Sequence, residues 1–169
     1  MTRFRAVVAA LAISVALILQ VSLFPHFAWH GIVPNLCLLV VVAAALTINA
    51  PSAMLLGFAA GVALDLVPPA DHVAGRWALA LTVVAFLAAR VRQDVKPTAT
   101  AVIGTVAAAS FVGTSIFALT GLLLGDSGSV PDLLLVIGVA VLWDVLLTPF
   151  VLPPLMRLFS SLDPQLATA

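Results

Sequence analysis

The feature that most constrains this chain is a succession of six apolar runs separated by short polar segments. The runs cover residues 6–24, 32–48, 53–67, 77–91, 98–124 and 133–152. About 20 apolar residues in a helix cross the hydrocarbon core of a bilayer. Only 8% of the chain is charged and 63% is apolar, whereas about 25% of a soluble domain is charged. The sequence therefore predicts an all-α integral membrane protein, a bundle of six transmembrane helices forming one domain over residues 1–169.

Composition also excludes several classes of function. Seven Lys and Arg balance seven acidic residues, so the net charge is zero and the basic face that a nucleic-acid-binding protein needs is missing. Cys37 is the single cysteine, so no internal disulfide can form.

The first run follows Arg3 and Arg5 like a signal peptide, but it is long and no A-x-A cleavage site follows. We expect it to remain as a span.

The distribution of basic residues predicts the orientation. With six spans, one side of the membrane carries Arg3, Arg5, Arg90, Arg92, Lys96 and Arg157, and the other side carries Arg76 alone. Because cytoplasmic loops are enriched in Lys and Arg, both termini are predicted to be cytoplasmic. The segment with Arg90, Arg92 and Lys96 either anchors this topology at anionic lipid headgroups or docks a cytoplasmic partner.

A row of small residues in the third run leads to a carboxylate. Gly57, Gly61 and Asp65 follow one another at intervals of four, so they share one helix face. A G-x-x-x-G pair lets another backbone approach closely. In one interpretation, Asp65 marks a partner or ligand site at a tight helix contact. In the other, it caps the next segment or is hydrated at the membrane interface.

Asp144 lies near the middle of the last run. A carboxylate at that depth costs at least about 2.5 kcal/mol, so it must face protein or water. The side chain is either a polar contact or pocket residue, or a carboxylic acid that is hydrogen-bonded to a neighbouring Ser or Thr. Pro34-Asn35, at the mouth of the second run, is expected to start a helix.

Catalytic and metal-binding patterns are weak. Asp65 and Asp144 do not match the motifs of an aspartyl intramembrane protease, and no nucleophile motif is present. His26 and His30 have an i, i+4 spacing but no intervening Glu, and His72 lies in another loop. We expect no enzyme activity, no metal and no cofactor.

Short motifs occur in a fixed order along nearly the whole chain. They are Gly31-Ile-Val-Pro34-Asn35-Leu, Gly57-Phe-x-x-Gly61-x-x-x-Asp65-Leu66, Phe86-Leu-Ala-Ala-Arg90-Val-Arg92 and Leu147-Thr-Pro149-Phe. In order and spacing they resemble the rod shape-determining protein D family (MreD), small proteins of the bacterial inner membrane. Asp144 falls outside the usual pattern of that family.

The resemblance implies a non-enzymatic subunit of the machinery that elongates the bacterial side wall. Its implied partners are the periplasmic scaffold protein MreC, through it a peptidoglycan glycosyltransferase and transpeptidase, and the actin-like filament MreB. The implied fold is similar to the six-helix substrate-binding subunits of energy-coupling-factor transporters. The alternative is such a subunit for a vitamin-like molecule, in which Asp65 and Asp144 would line an outward-facing pocket.

Overall fold

The protein is built from α-helices joined by short connections. The computed structural model describes residues 3–68, 72–94, 98–126 and 129–161. The helices there are α1 (Arg3–Ser22), α2 (Leu36–Ala45), α3 (Ala50–Leu66), α4 (Arg76–Asp94), α5 (Ala99–Leu124) and α6 (Val130–Ser161), with a single 3₁₀ turn at Phe24–Phe27. No strand is found among these residues beyond one isolated bridge between Trp29 and Ile32. The all-helical prediction is confirmed.

Three of the helices are long and apolar enough to cross a membrane. These segments are Phe4–Ser22, Ala99–Leu124 and Val130–Ser161. Within the molecule, α1 and α6 bury only a small part of their surface and leave rows of large apolar side chains exposed. Such rows suit contact with lipid, where exposed apolar side chains carry no penalty.

The second helix is shorter than its apolar run and forms the centre of the bundle. Residues 32–48 were expected to span, but only Leu36–Ala45 is helical, which makes α2 about 15 Å long. Every residue of α2 is buried, and α2 contacts each of the other five helices. Because protein surrounds α2 on all sides, it does not need the length of a lipid-facing helix.

Local sequence explains where α2 begins and ends. Asn35 is the N-cap, as predicted, and its side-chain oxygen accepts a hydrogen bond from Leu38 N at 2.9 Å. A tight turn precedes it, with positive φ at His30 (52°) and Gly31 (76°), and there glycine has no steric cost. After α2, the Thr47 hydroxyl donates to Ala43 O at 2.7 Å, which satisfies a carbonyl at the helix end.

The last helix is longer than its apolar run. The run ends at residue 152, before Pro153-Pro154, but α6 continues to Ser161 and contains Pro149, Pro153 and Pro154. All three proline rings lie on exposed positions of the helix. Prolines are tolerated in membrane helices when nearby hydroxyl groups and packing satisfy the freed carbonyl groups. The Thr148 hydroxyl donates to Asp144 O at 2.8 Å in this region.

Candidate functional site

Two buried aspartates among the described residues, Asp65 and Asp144, form polar sites inside the bundle. Asp65 lies in the last turn of α3 and is 3% exposed. It accepts hydrogen bonds from Gly75 N at 2.8 Å, Trp77 N at 3.1 Å and Ala78 N at 3.1 Å. These N–H groups belong to the start of α4, where the helix itself offers them no acceptor. The contacts are those of a capping carboxylate, supplied to α4 by the neighbouring helix.

The glycine row that leads to Asp65 faces α4 of the same chain. A Cβ atom added to Gly57 would lie 2.5 Å from Leu81 O, and one added to Gly61 would lie 2.5 Å from Ala78 N. Real Cβ atoms do not approach backbone so closely, so both positions need glycine at this spacing of the helices. The backbone that approaches the G-x-x-x-G motif closely is therefore that of α4. Gly57, Gly61 and Asp65 thus lie together along one contact between α3 and α4.

Asp144 lies on α6 at the level where α2 begins. Its side chain is fully buried; Oδ1 accepts a hydrogen bond from Asn35 N at 2.8 Å and Oδ2 accepts one from the Ser110 hydroxyl at 2.7 Å. The carboxylate therefore connects α6 to α5 and to the N-cap of α2. Its oxygen supplies an acceptor where the N–H groups of a helix start have none within the helix.

A second polar side chain serves the same helix start. Gln20 Oε1 of α1 lies 3.4 Å from Cys37 N, which donates to it. Together with Asp144 and the Asn35 side chain, it gives acceptors to backbone N–H groups that would otherwise be unsatisfied within an apolar environment. The non-helical backbone before α2 is thus accommodated because it is buried in protein.

A third polar cluster lies where α4 begins and α5 ends. The Arg76 side chain is buried; Nη1 is 2.6 Å from Asp126 Oδ2, and Nη2 donates to Phe117 O at 2.7 Å. Its guanidinium lies 4.0 Å from the centre of the Phe117 ring, on which Trp77 stacks at 4.5 Å. Gly121 leaves room for this arrangement, since a Cβ there would lie 2.5 Å from Asp126 Oδ2. The cluster ties α4 to α5 at one end of the bundle.

The basic segment at the other end of α4 is more open. Arg90 is exposed, and its guanidinium lies 5.0 Å from the centre of the Phe86 ring. Arg92 is half-buried, and Lys96 lies outside the described residues.

The histidines of the described residues are not gathered into one site. His26 Nδ1 lies 3.2 Å from Leu23 O, and His72 Nδ1 lies 3.7 Å from Asp65 Oδ1. His30 occupies the turn before α2 and lies beside Trp29. Among the residues placed in the structure, no group of three His, Cys, Asp or Glu could hold a metal ion.

Sequence reasoning missed the partners of the charged groups. Gln20 and Phe117 carried no signal of their own, because they lie far from Cys37 and Arg76 in sequence. For Asp144 a Ser or Thr partner was one alternative, but the sequence did not single out Ser110. The available signal was polar residues placed within apolar runs. A buried carboxylate needs donors, and the hydroxyl and amide side chains in neighbouring runs were the candidates.

Among the apolar cavities of the described residues, two are larger than 300 Å³ and open on the outer surface of the helices. One, of about 340 Å³, lies between α5 and α6 and is lined by residues that include Thr98, Ala99, Ile103, Pro149 and Pro153. The other, of about 360 Å³, lies between α1, α2 and α6. Among the described residues, no ionisable side chain lines either cavity.

The fold and these contacts define a class: an all-helical membrane protein whose two buried carboxylates bind its own backbone and side chains. Comparison with known families then gives the particular family. The family model described as rod shape-determining protein MreD matches residues 2–160, nearly the whole chain. The chain belongs to the MreD family, and it is therefore a shape-determining membrane protein. No curated protein and no solved structure gives a significant match.

Proposed function

We propose that this chain crosses the bacterial inner membrane six times, with both termini in the cytoplasm. The distribution of charge supports this topology. Arg76 starts α4, whereas Arg90 and Arg92 lie in its last turns, about 21 Å away along the helix. Arg157, in the last turns of α6, belongs to the same predicted side as Arg90 and Arg92.

Thiol labelling tests this topology. In a Cys37→Ala background, Ser129→Cys places a thiol before α6 and Ser160→Cys places one near its end; both serines are exposed. A membrane-impermeant maleimide added to spheroplasts should label Ser129→Cys but not Ser160→Cys, and lysis should expose both. Labelling of Ser160→Cys before lysis contradicts the orientation.

In the cell, the proposed role is that of a non-enzymatic subunit of the elongation machinery, which assembles with the scaffold protein MreC and with peptidoglycan synthases. The family match over residues 2–160 carries this proposal. The bonding of the buried carboxylates supports it, because Asp65 and Asp144 bind backbone N–H groups and, for Asp144, the Ser110 hydroxyl. Carboxylates used in this way stabilise a scaffold and are not held free for chemistry.

The same bonding gives no support to the alternative of a vitamin-transporter subunit. In that interpretation Asp65 and Asp144 would line an outward pocket and bind a small molecule. In the structure both are at most 3% exposed, and their oxygens accept hydrogen bonds from the chain itself.

Affinity purification from native membranes in a mild detergent distinguishes the two functions. Mass spectrometry of the protein fraction should identify MreC and the wall synthases, and an unrelated inner-membrane bait with the same tag should not recover them. Recovery of an ATPase module together with a bound vitamin would refute the elongation role. Depletion of the chain should also turn rod-shaped cells round, and cells that keep their shape would contradict the same proposal.

A further inference from the structure

The cavity between α5 and α6 is the feature that the proposed function does not use. The two helices are joined near their middle, where the Ser110 hydroxyl meets Asp144 at 2.7 Å. Towards the start of α5 and the end of α6 the cavity separates them, between residues 98–103 and residues 148–156. Alanine and proline side chains leave this space open, because Ala99, Pro149 and Pro153 are short or closed into rings.

The size and lining of the cavity suit a hydrocarbon chain. Its volume of about 340 Å³ lies within the range of ligand sites. Its walls are almost wholly apolar, and the hydroxyl of Thr148 is already engaged with Asp144 O at 2.8 Å. The side chains that line it therefore offer a ligand contact area and little hydrogen bonding.

The charge at the mouth of the cavity selects the headgroup. Arg157 follows Pro153 by four residues and Met156 by one, so it continues the cavity-lining face of α6 by one turn. Its side chain is exposed. Residues 98–125 and 145–161 contain no other charged side chain, so the only charge that these two segments present is positive. A basic side chain near the membrane surface attracts anionic lipid by about 1 kcal/mol.

We propose that this cavity is a binding site for an anionic phospholipid, with an acyl chain between α5 and α6 and the phosphate beside Arg157. The site goes beyond the assembly role, since it assigns a lipid ligand to a surface that faces neither of the buried carboxylates. In the proposed topology it opens to the cytoplasmic leaflet.

Native mass spectrometry of the full chain in a non-ionic detergent tests the site. The probes are phosphatidylglycerol and phosphatidylcholine with identical acyl chains. Wild-type protein should bind phosphatidylglycerol about fivefold more tightly, which corresponds to about 1 kcal/mol for one arginine. Arg157→Gln should abolish the preference. Arg90→Gln, which removes an exposed arginine from α4, should keep it.

A second pair of variants tests the cavity itself. Ala99→Trp fills the space and should weaken binding of the first phospholipid at least fivefold, whereas Ala59→Trp on the exposed face of α3 should leave it unchanged. The proposal is overturned if Arg157→Gln retains the wild-type preference, or if Ala99→Trp binds lipid like wild type.

One measurement needs no variant. Phosphatidylglycerol with a photoreactive acyl chain should crosslink wild-type protein mainly at residues 98–103 and 148–156. Crosslinks spread evenly over the exposed apolar residues of α1 and α3 would contradict the site. This outcome is independent of partner recovery, so the lipid site and the proposed assembly role can fail separately.

Discussion

Gly61 offers the sharpest test of how the bundle is held together. In Gly61→Ala, the new methyl group would lie 2.5 Å from Ala78 N, whereas ordinary contacts begin at 3.4 Å, so α4 must retreat by about 1 Å. Overpacking of this kind costs about 1–3 kcal/mol. The same movement stretches the hydrogen bond of 3.1 Å between Ala78 N and Asp65, which adds about 1 kcal/mol.

Helix propensity opposes these losses by up to about 1 kcal/mol, since alanine favours a helix more than glycine does. The expected net destabilisation is therefore about 2 kcal/mol, or about 4–8 °C in Tm for a chain of this size. Gly104→Ala is the matched control, because a Cβ there has no atom within 4 Å. It should leave stability unchanged or raise it slightly.

Thermal unfolding of both variants in detergent, followed by tryptophan fluorescence, gives the comparison. Equal melting temperatures for Gly61→Ala and Gly104→Ala would refute the proposal that the close contact between α3 and α4 requires glycine at position 61. If instead Gly61→Ala keeps wild-type stability but loses partner proteins, the glycine serves an intermolecular contact.

The other predictions concern the charged groups. Asp65→Ala should destabilise the protein by about 3 kcal/mol in SDS titration, because three backbone N–H groups lose their acceptor. The control Asp132→Ala, at the exposed start of α6, should cost less than about 1 kcal/mol. Similar losses for the two variants would rule out the capping role of Asp65. Asp144→Leu should lower the stability by about 3 kcal/mol and Asp144→Asn by about 1 kcal/mol, because the amide oxygen of Asn still accepts a hydrogen bond. Equal losses of stability would mean that hydrogen bonding by Asp144 is not what stabilises the fold. Asp126→Asn should lower the stability by under about 1 kcal/mol, because the Asp126 side chain is 55% exposed. High salt should abolish this difference in stability between the variant and the wild type. A large loss that salt leaves unchanged would show that the pair of Asp126 with Arg76 is shielded from solvent.

Local signals in the sequence predicted the helices but not all of their lengths. Apolar runs located all six, and Asn35 was correctly placed at the start of α2. The length of α2 depends on its complete enclosure by other helices, which no local pattern encodes. The last apolar run stops at residue 152, whereas α6 continues through Pro153-Pro154 to Ser161, because prolines break a helix less strongly in a membrane than in a soluble protein.

The candidate site shows the same division. The interval of four residues placed Gly57, Gly61 and Asp65 on one face, which is a property of any helix. What that face contacts depends on the return of the chain through α4, and the sequence left a partner and a cap as alternatives. The acceptor role of Asp144 depends on a pairing with Asn35 over 109 positions, which spacing does not predict.

The short, enclosed α2 has a consequence for how the protein is made. A helix of about 15 Å cannot span the bilayer by itself. At its start, Leu38 N and Cys37 N find acceptors on Asn35 and on α1, but Asn35 N does not. The acceptor for Asn35 N is on α6, so it is synthesised 109 residues later. During biogenesis the nascent chain therefore waits with an incomplete second segment until α6 enters the membrane. A chain that stops before α6 therefore lacks the acceptor for Asn35 N, and the start of its central helix is incompletely hydrogen-bonded.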